Sequence, residues 1–458
     1  MKILHYALGF PPYRSGGLTK YSLDLMCEQQ KKGHEVAMMW PGRLKLTGRF
    51  VRFKRSKNRQ VVAGEEVSFD SIEMINPIPV PLDEGIKDTD VFMEVCMNPE
   101  VFQEFFEEFK PDVIHVHTLM GLYPEMIATA KKMGIRTVFT THDYYGICPK
   151  VTLFRDGDVC DGNCNACVDC NDNGLSLKQI QALQSPTYRK MKNTKLVKAM
   201  RKKHRDEFFE GEDENNQKKE YTSVDGELSA TGSDYQQLRN YYLNILKNID
   251  QIHFNSSVTE SVYRKFLPIQ TKGKVINLTH SNIKDERKIK SFDRTLSIAY
   301  LAPTKEFKGF NILQDALDEL WSEGQRQIEL ELYHSPREVS GYMKVYDGFE
   351  YNDLREIFER ADMLIMPSVW YETYGFTVLE ALSFGVPVLV TNRVGSKDLL
   401  NDGYFGMIIK PTKDDLKQAI SYIVDHQEIL ELYNERIVNE FDLDRVMNSV
   451  DQIEELYK

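Results

Sequence analysis

MPSVWYETYGFTVLEALSFGVPVLVTNRVGSKDLL, residues Met366–Leu400, is the stretch on which the fold turns. Met363–Met366, just before and into it, is wholly apolar and predicts a buried strand. Pro367 and Ser368 end that strand. Gly375 then opens a helix from Phe376 to about Phe384, with Phe376, Leu379, Ala381 and Leu382 on its apolar side and Gly385 at its C-terminal stop. Val386–Val390 predicts a second buried strand. A strand, a loop, a helix and a strand in this order build a parallel sheet, and such sheets hold ligands at the carboxyl ends of their strands.

Two carboxylates stand in this unit. Glu372 precedes the helix, and Glu380 lies inside it, about 7–8 Å further along the axis at ~1.5 Å per residue. Between them the helix start Gly375-Phe376-Thr377 offers free amides and the positive end of the helix dipole, a seat for phosphate. A phosphate seat with a carboxylate at each end suits a nucleoside diphosphate sugar: Glu380 takes ribose hydroxyls and Glu372 takes sugar hydroxyls. Spacing alone is equally compatible with a Glu380 that only favours the helix and a Glu372 that is only solvated.

The wording around the two residues is more telling. Glu372-x7-Glu380, within ETYGFTVLEALSFGVPVL, resembles the E-x7-E signature of the retaining glycosyltransferases of family 4, which have the GT-B fold. Gly375-Phe376, Glu380-Ala381, Gly385-x-Pro387-Val388 and Gly395 fall where that family puts them. The resemblance implies an α/β protein of two Rossmann-like domains whose parallel sheets face each other across a cleft. It implies retaining transfer of a sugar from a nucleotide sugar, a UDP-sugar first, to a hydroxyl on a saccharide or lipid-linked acceptor, in polysaccharide or glycoconjugate biosynthesis, with no cofactor for catalysis. It gives donor-binding roles to Gly16, Gly17, Lys308, Glu372, Tyr374, Gly375, Phe376, Thr377 and Glu380, and catalytic roles to His142 and Glu372. The rival is a non-catalytic GT-B subunit that stabilises a partner transferase.

At 458 residues the chain has room for two or three domains. A net charge of −11 argues against a general nucleic-acid binder. No apolar run approaches the ~18 residues of a membrane span. The start, with His5 inside Met1–Leu8 and Pro11-Pro12 next, does not read as a signal peptide. The expectation is a cytoplasmic protein with reduced thiols, peripheral on the inner face of the membrane if its acceptor is lipid-linked.

Outward from the anchor, Lys2–Leu8 reads as the first strand, Gly9–Gly17 as a Gly/Pro loop and Leu18–Lys31 as an amphipathic helix. Gly16-Gly17 places bare amides beside a ligand, or simply makes a turn. Val113–His117 and Thr137–Thr141 read as buried strands. His142 closes the second at its carboxyl end and matches the family's histidine there; His117 reads as its support. Lys308-Gly309, after strand Leu296–Leu301, resembles the family's phosphate-binding start. The arginine the family puts five or six residues earlier is absent, since Ala302 and Pro303 occupy those positions, and Lys305 is the candidate substitute.

Five of the seven cysteines fall in Cys148-x11-Cys160-x3-Cys164-x2-Cys167-x2-Cys170. In a reducing compartment this spacing fits a structural zinc held by Cys160, Cys164, Cys167 and Cys170, with Cys148 as an alternative ligand. An iron–sulfur cluster and idle thiols are the other readings. Such a loop is expected to shape the acceptor side of the cleft. Asp156-Gly157 within it reads as a hairpin turn. Two basic runs, Arg43–Arg59 and Tyr188–Arg205, read as solvated faces or as contacts for an anionic membrane surface. The polar stretch 206–234 reads as a mobile surface insertion. The expected division is 1–284, with an insertion at about 172–235 and the Cys-rich loop 148–170, then 293–440, then a helix 441–458 returning to the first domain.

Overall fold

The structure is a computed structural model that describes residues 1–45, 49–81, 85–172, 174–192, 194, 195, 197, 199, 230–292, 295–336 and 338–458. Residues 206–229 of the expected insertion, and 200–205 of the second basic run, lie outside the described residues.

Among the described residues the amino lobe is built on an eight-stranded sheet. Its spatial order is Gly273–Val275, Gln251–Phe254, Arg136–Thr140, Val113–Val116, Lys2–Tyr6, Glu35–Pro41, Glu65–Ile75 and Arg52–Val62. All pairings are parallel except the last. The central strands are buried on both faces, which is why they read as continuous apolar runs rather than alternating ones. The run Arg43–Arg59 is not simply a solvated loop. From Arg52 it is an edge strand, joined to Glu65–Ile75 by Ala63-Gly64 with φ of 51° and 86°, the two-residue turn that suits a hairpin. Its charge hid it, and that charge guards an exposed sheet edge. Arg43, Arg49, Arg55 and Lys57 of the run each meet a carboxylate: Glu73, Glu94, Glu108 and Asp70.

The carboxyl lobe is a six-stranded parallel sheet. Its order is Met343–Val345, Ile328–Leu332, Leu296–Tyr300, Met363–Met366, Val388–Thr391 and Gly406–Ile409. Two apolar clusters cover its faces, one under helix Phe376–Ser383 and one under helix Phe310–Ser322. Helix Leu443–Met447 still packs on this lobe through Leu443, Val446 and Met447. Helix Ser449–Glu455 then runs back to the amino lobe, where Ile453, Leu456 and Tyr457 join the cluster of Ile3, Tyr21 and Met26. Lys32 holds Asp451 and Glu454 at its rim. The chain therefore passes between the lobes twice, near residue 280 and near residue 448.

Candidate active site

Three helices meet the cleft in one unusual way. Gly17–Lys31, Phe310–Ser322 and Phe376–Ser383 are each preceded by a glycine, Gly16, Gly309 and Gly375, with φ of 108°, 77° and 95°. None of the three has a side-chain cap. Elsewhere Ser185, Thr231, Ser256, Thr412 and Asp442 cap their helices with an oxygen. An uncapped helix start leaves amide donors unsatisfied and a partial positive charge exposed. Two of these starts face each other across the lobes: a Cβ on Gly17 would lie 3.4 Å from the Phe376 ring. Thr377 follows in the first turn of the same helix.

Lys308 comes to this place from the other side of the carboxyl lobe. It forms an ion pair with Glu372, and both side chains are largely buried. Trp370 Nε1 donates to the same carboxylate at 3.1 Å, and the Lys308 ammonium lies 4.8 Å from the centre of the Trp370 ring. Lys305 instead sits over Phe307, 5.7 Å from the ring centre. Gly309 fixes the approach. A Cβ there would fall 1.9 Å from the carbonyl oxygen of Pro367, so only glycine allows the two loops to touch.

Glu380 is 8% exposed and accepts from His280 Nε2 at 3.1 Å. The His280 ring lies edge-on to Phe376 and to Tyr351. Close by, a cavity of about 700 Å³ opens between the lobes. Gly16, Thr19 and Lys20 line it from the amino lobe and Tyr351 and Arg355 from the carboxyl lobe, while Lys308 and Glu372 are not on its wall. The Tyr374 ring is buried in the amino-lobe core and its hydroxyl donates to the Leu278 carbonyl at 2.6 Å, so it ties the lobes together. Thr373 beside it makes the same kind of tie: its hydroxyl donates to the His142 carbonyl at 3.1 Å, and its own carbonyl accepts from Ser256 at 2.7 Å.

His142 is half-buried at the end of strand Arg136–Thr140, with the Tyr21 ring 5.0 Å away. Burial, aided by His253, pulls its pKa down to about 3, so the ring is neutral at ordinary pH. Asp143 is pushed up to about 6 by burial, against a single bond from the Tyr145 amide. His117 Nδ1 stands 3.2 Å from His142 Nε2, behind it as expected.

Among the described residues, the group of three or more ligand-type side chains whose donor atoms lie within 4.8 Å of one another is His5, His115 and His117, and Cys160, Cys164, Cys167 and Cys170 form no such group. Cys164 and Cys167 are free thiols joined by a side-chain hydrogen bond, which lowers Cys164 to about 7 and raises its partner. The cysteine loop reaches the carboxyl lobe. Its hairpin, Phe154–Arg155 with Asp158–Val159, turns at Asp156-Gly157 and crosses the cleft. Phe154 packs 6.3 Å from Phe307, and Asp158 accepts from Arg393 at 2.7 Å. Asp158 is exposed, so Asp158→Ala is expected to lower stability by no more than ~1 kcal/mol. Amide exchange over residues 154–159 should nevertheless quicken, because an anchor of the hairpin is lost. Unchanged exchange there would show that Phe154 alone holds the strap.

Sequence reasoning passed over His280, Trp370, Ser256 and Arg393. Each acts through a partner far along the chain, and nothing local marks it. A signal did exist for His5, His115 and His253, which are histidines in the middle of buried strands, where an imidazole needs partners.

Comparison with known proteins agrees with this architecture. A family model described as glycosyl transferases group 1 matches residues 284–439, and one described as Glycosyltransferase Family 4 matches residues 15–157. An uncharacterized 42.6 kDa protein in the cps region of Klebsiella pneumoniae is 24% identical over 300 residues, which is 64% of this chain and 60% of that protein. The chain thus spans about 60% of the length of that relative. The UDP-Gal:alpha-D-GlcNAc-diphosphoundecaprenol alpha-1,3-galactosyltransferase of Escherichia coli is 30% identical over 111 residues, 23% of this chain and 27% of that enzyme. Among solved structures, Anabaena HepE in complex with UDP and glucose aligns with a TM-score of 0.53 at 12% identity, over 99% of this chain and 98% of that one. An E. coli structure titled trehalose-6-phosphate, bound with UDP-2-fluoro glucose, gives 0.56 at 11%, over 100% and 99%. The fold is GT-B, and the two family matches fall one in each lobe, the group 1 model on the carboxyl lobe and the family 4 model on the first part of the amino lobe.

Proposed function

We propose that this GT-B chain, with glycosyltransferase domains in both lobes, moves a sugar from a nucleotide sugar to a hydroxyl acceptor with retention of configuration. The observation that carries the reading is a set of three uncapped, glycine-led helix starts at Gly16, Gly309 and Gly375, two of them brought together through Gly17 and Phe376, with the Lys308 ammonium held by Glu372 in the loop that leads to Gly375. That is a seat for a diphosphate, and departure of a nucleoside diphosphate is the step that builds negative charge there. Donor binding moves Lys308 onto phosphate and frees Glu372 for the sugar hydroxyls, while Glu380 takes the ribose from its place beside His280. The acceptor hydroxyl attacks from the face the diphosphate leaves, and a leaving-group oxygen takes its proton. His142 contacts the sugar or the acceptor. The E. coli relative, whose name gives a UDP-sugar donor and a diphosphoundecaprenol acceptor, makes a UDP-sugar and a lipid-linked saccharide the first pair to test. No helix among the described residues is long and apolar enough to cross a membrane, so a lipid-linked acceptor would be met at the membrane surface.

The test is a thermal-shift panel of nucleotide sugars, since a ligand at ~100 times its dissociation constant adds about 2.7 kcal/mol. Stabilisation by at least one donor, followed by its transfer to an acceptor, is the expected result. Glu380→Gln keeps an oxygen for His280 and removes the charge. It should weaken that donor about ten-fold, the margin between charged and neutral acceptors. Full affinity in Glu380→Gln would remove the ribose role, and a panel without any shift would remove the donor class.

A further inference from the structure

Five buried or half-buried histidines of the amino lobe form a continuous chain with three other side chains. His253 Nε2 stands 2.7 Å from the carbonyl oxygen of Ile276. Thr140 Oγ1 is 2.9 Å from His253 Nδ1 and 2.7 Å from His115 Nε2. His115 Nδ1 is 2.7 Å from the hydroxyl of Tyr457, which is 2.9 Å from Gln29 Nε2. Gln29 Oε1 is 2.8 Å from His5 Nε2. His5 Nδ1 is 3.0 Å from His117 Nε2, and His117 Nδ1 is 3.2 Å from His142 Nε2.

The direction of every one of these bonds follows from the first. A carbonyl oxygen only accepts, so His253 carries its proton on Nε2 and leaves Nδ1 bare. Thr140 has one hydrogen and gives it to that Nδ1, so its oxygen accepts from His115 Nε2–H. His115 Nδ1 is then bare and takes the Tyr457 proton. The Tyr457 oxygen accepts from the Gln29 amide, which turns Gln29 Oε1 toward His5 Nε2–H. The bare His5 Nδ1 accepts from His117 Nε2–H, and the bare His117 Nδ1 accepts from His142 Nε2–H. Each ring in such a chain must be neutral, and burial keeps them so: His5 and His253 fall to about 4, and His115 and His117 fall well below the usual range. Of the ten ring nitrogens, His142 Nδ1 alone has no hydrogen-bond partner among the described residues.

We propose that this one-way chain holds His142 as the Nε2–H tautomer, so that it presents a bare Nδ1 to the cleft as an acceptor for a substrate hydroxyl, and that Tyr457 and Gln29 are positioning residues for it. The assignment of the hydroxyl to a sugar or acceptor rests on the transferase reading; the tautomer does not. His5, His115 and His117 also bring ligand-type nitrogens within 4.8 Å, but all six of their nitrogens are already bonded and the His115 and His117 rings are stacked 4.2 Å apart. A hydrogen-bond chain uses that arrangement, and a metal would have to break it.

The test is nitrogen NMR of the full chain labelled in histidine, with His142 assigned by its loss in His142→Gln. At pH 7 all five rings are expected to show a bare Nδ1 and a protonated Nε2. An Nδ1–H or imidazolium form at any of the five, or a metal bound at His5, His115 and His117, overturns the chain. Tyr457→Phe keeps the packed ring and removes the link. Gln29→Met cuts the chain one step on and serves if the first variant fails to fold. Either should turn the His142 signal into a mixture of tautomers and lower kcat about ten-fold, the worth of a positioned hydrogen bond, with KM changed less. An unchanged His142 spectrum in a folded variant overturns the positioning roles. The expected spectra in a protein with no transfer to any acceptor would leave the chain standing and overturn the function instead.

Discussion

Lys308→Ala is expected to cut kcat/KM by about 10²–10³, the usual loss when one preorganised group facing developing charge is removed. Its ammonium stands against both Glu372 and the Trp370 ring, in the loop that leads to the Gly375 helix start. Truncation has a second effect. Glu372 is left in a largely buried place with only the Trp370 indole as partner, and an unpaired buried carboxylate costs about 3 kcal/mol or more. The two effects separate in the double variant Lys308→Ala/Glu372→Gln. Its melting temperature should return toward that of the parent while its activity does not. If activity returned with stability, Lys308 would be a packing residue and the phosphate seat would consist of helix amides alone.

Gly309→Ala carries the second large effect. Its backbone is left-handed, at φ 77°, and the added Cβ would meet a backbone oxygen, that of Pro367, at 1.9 Å. Left-handed strain alone costs about 1–2 kcal/mol for a residue with a side chain. The clash must be relieved by moving the Lys308 loop away from Pro367–Trp370, so the total should reach about 3 kcal/mol or more. Gly324→Ala is the control. Gly324 has φ 99°, but nothing lies within 4 Å of an added Cβ. It should show the strain term by itself, near 1–2 kcal/mol, with donor binding unchanged. Equal losses in the two variants, by denaturant titration, would show that the Pro367 contact relaxes freely.

Much of this architecture could be read from the chain because α/β domains write their order into hydrophobic runs. Met363–Met366 and Val386–Val390 are apolar since both faces of their sheet are covered, and the helix between them has glycines at both ends. The edge strand Arg52–Val62 escaped notice for the opposite reason, since charge covers its outward face. Residues placed in the cleft by local rules, such as Gly375 before a helix or His142 after a strand, were visible as candidates. Those defined by a partner were not. His280 matters because Glu380, a hundred residues later, folds against it. Tyr374 lies in a family motif but faces the other lobe, and a motif does not say which way a ring points. The cysteine spacing suggested a metal site, whereas the hairpin it surrounds became a bridge to Arg393, a contact with no trace in either local sequence.

The returning tail has a consequence for building hybrids. Residues after Asn448 belong by connectivity to the carboxyl lobe but by packing to the amino lobe, where Tyr457 lies between His115 and Gln29. A chimera made at a single junction near residue 280 would import a foreign tail into the amino-lobe core. The sound exchange has two junctions, replacing about 285–447 and retaining the native 448–458, so that a new carboxyl lobe arrives with its own Leu443–Met447 helix and without disturbing the far side of His142.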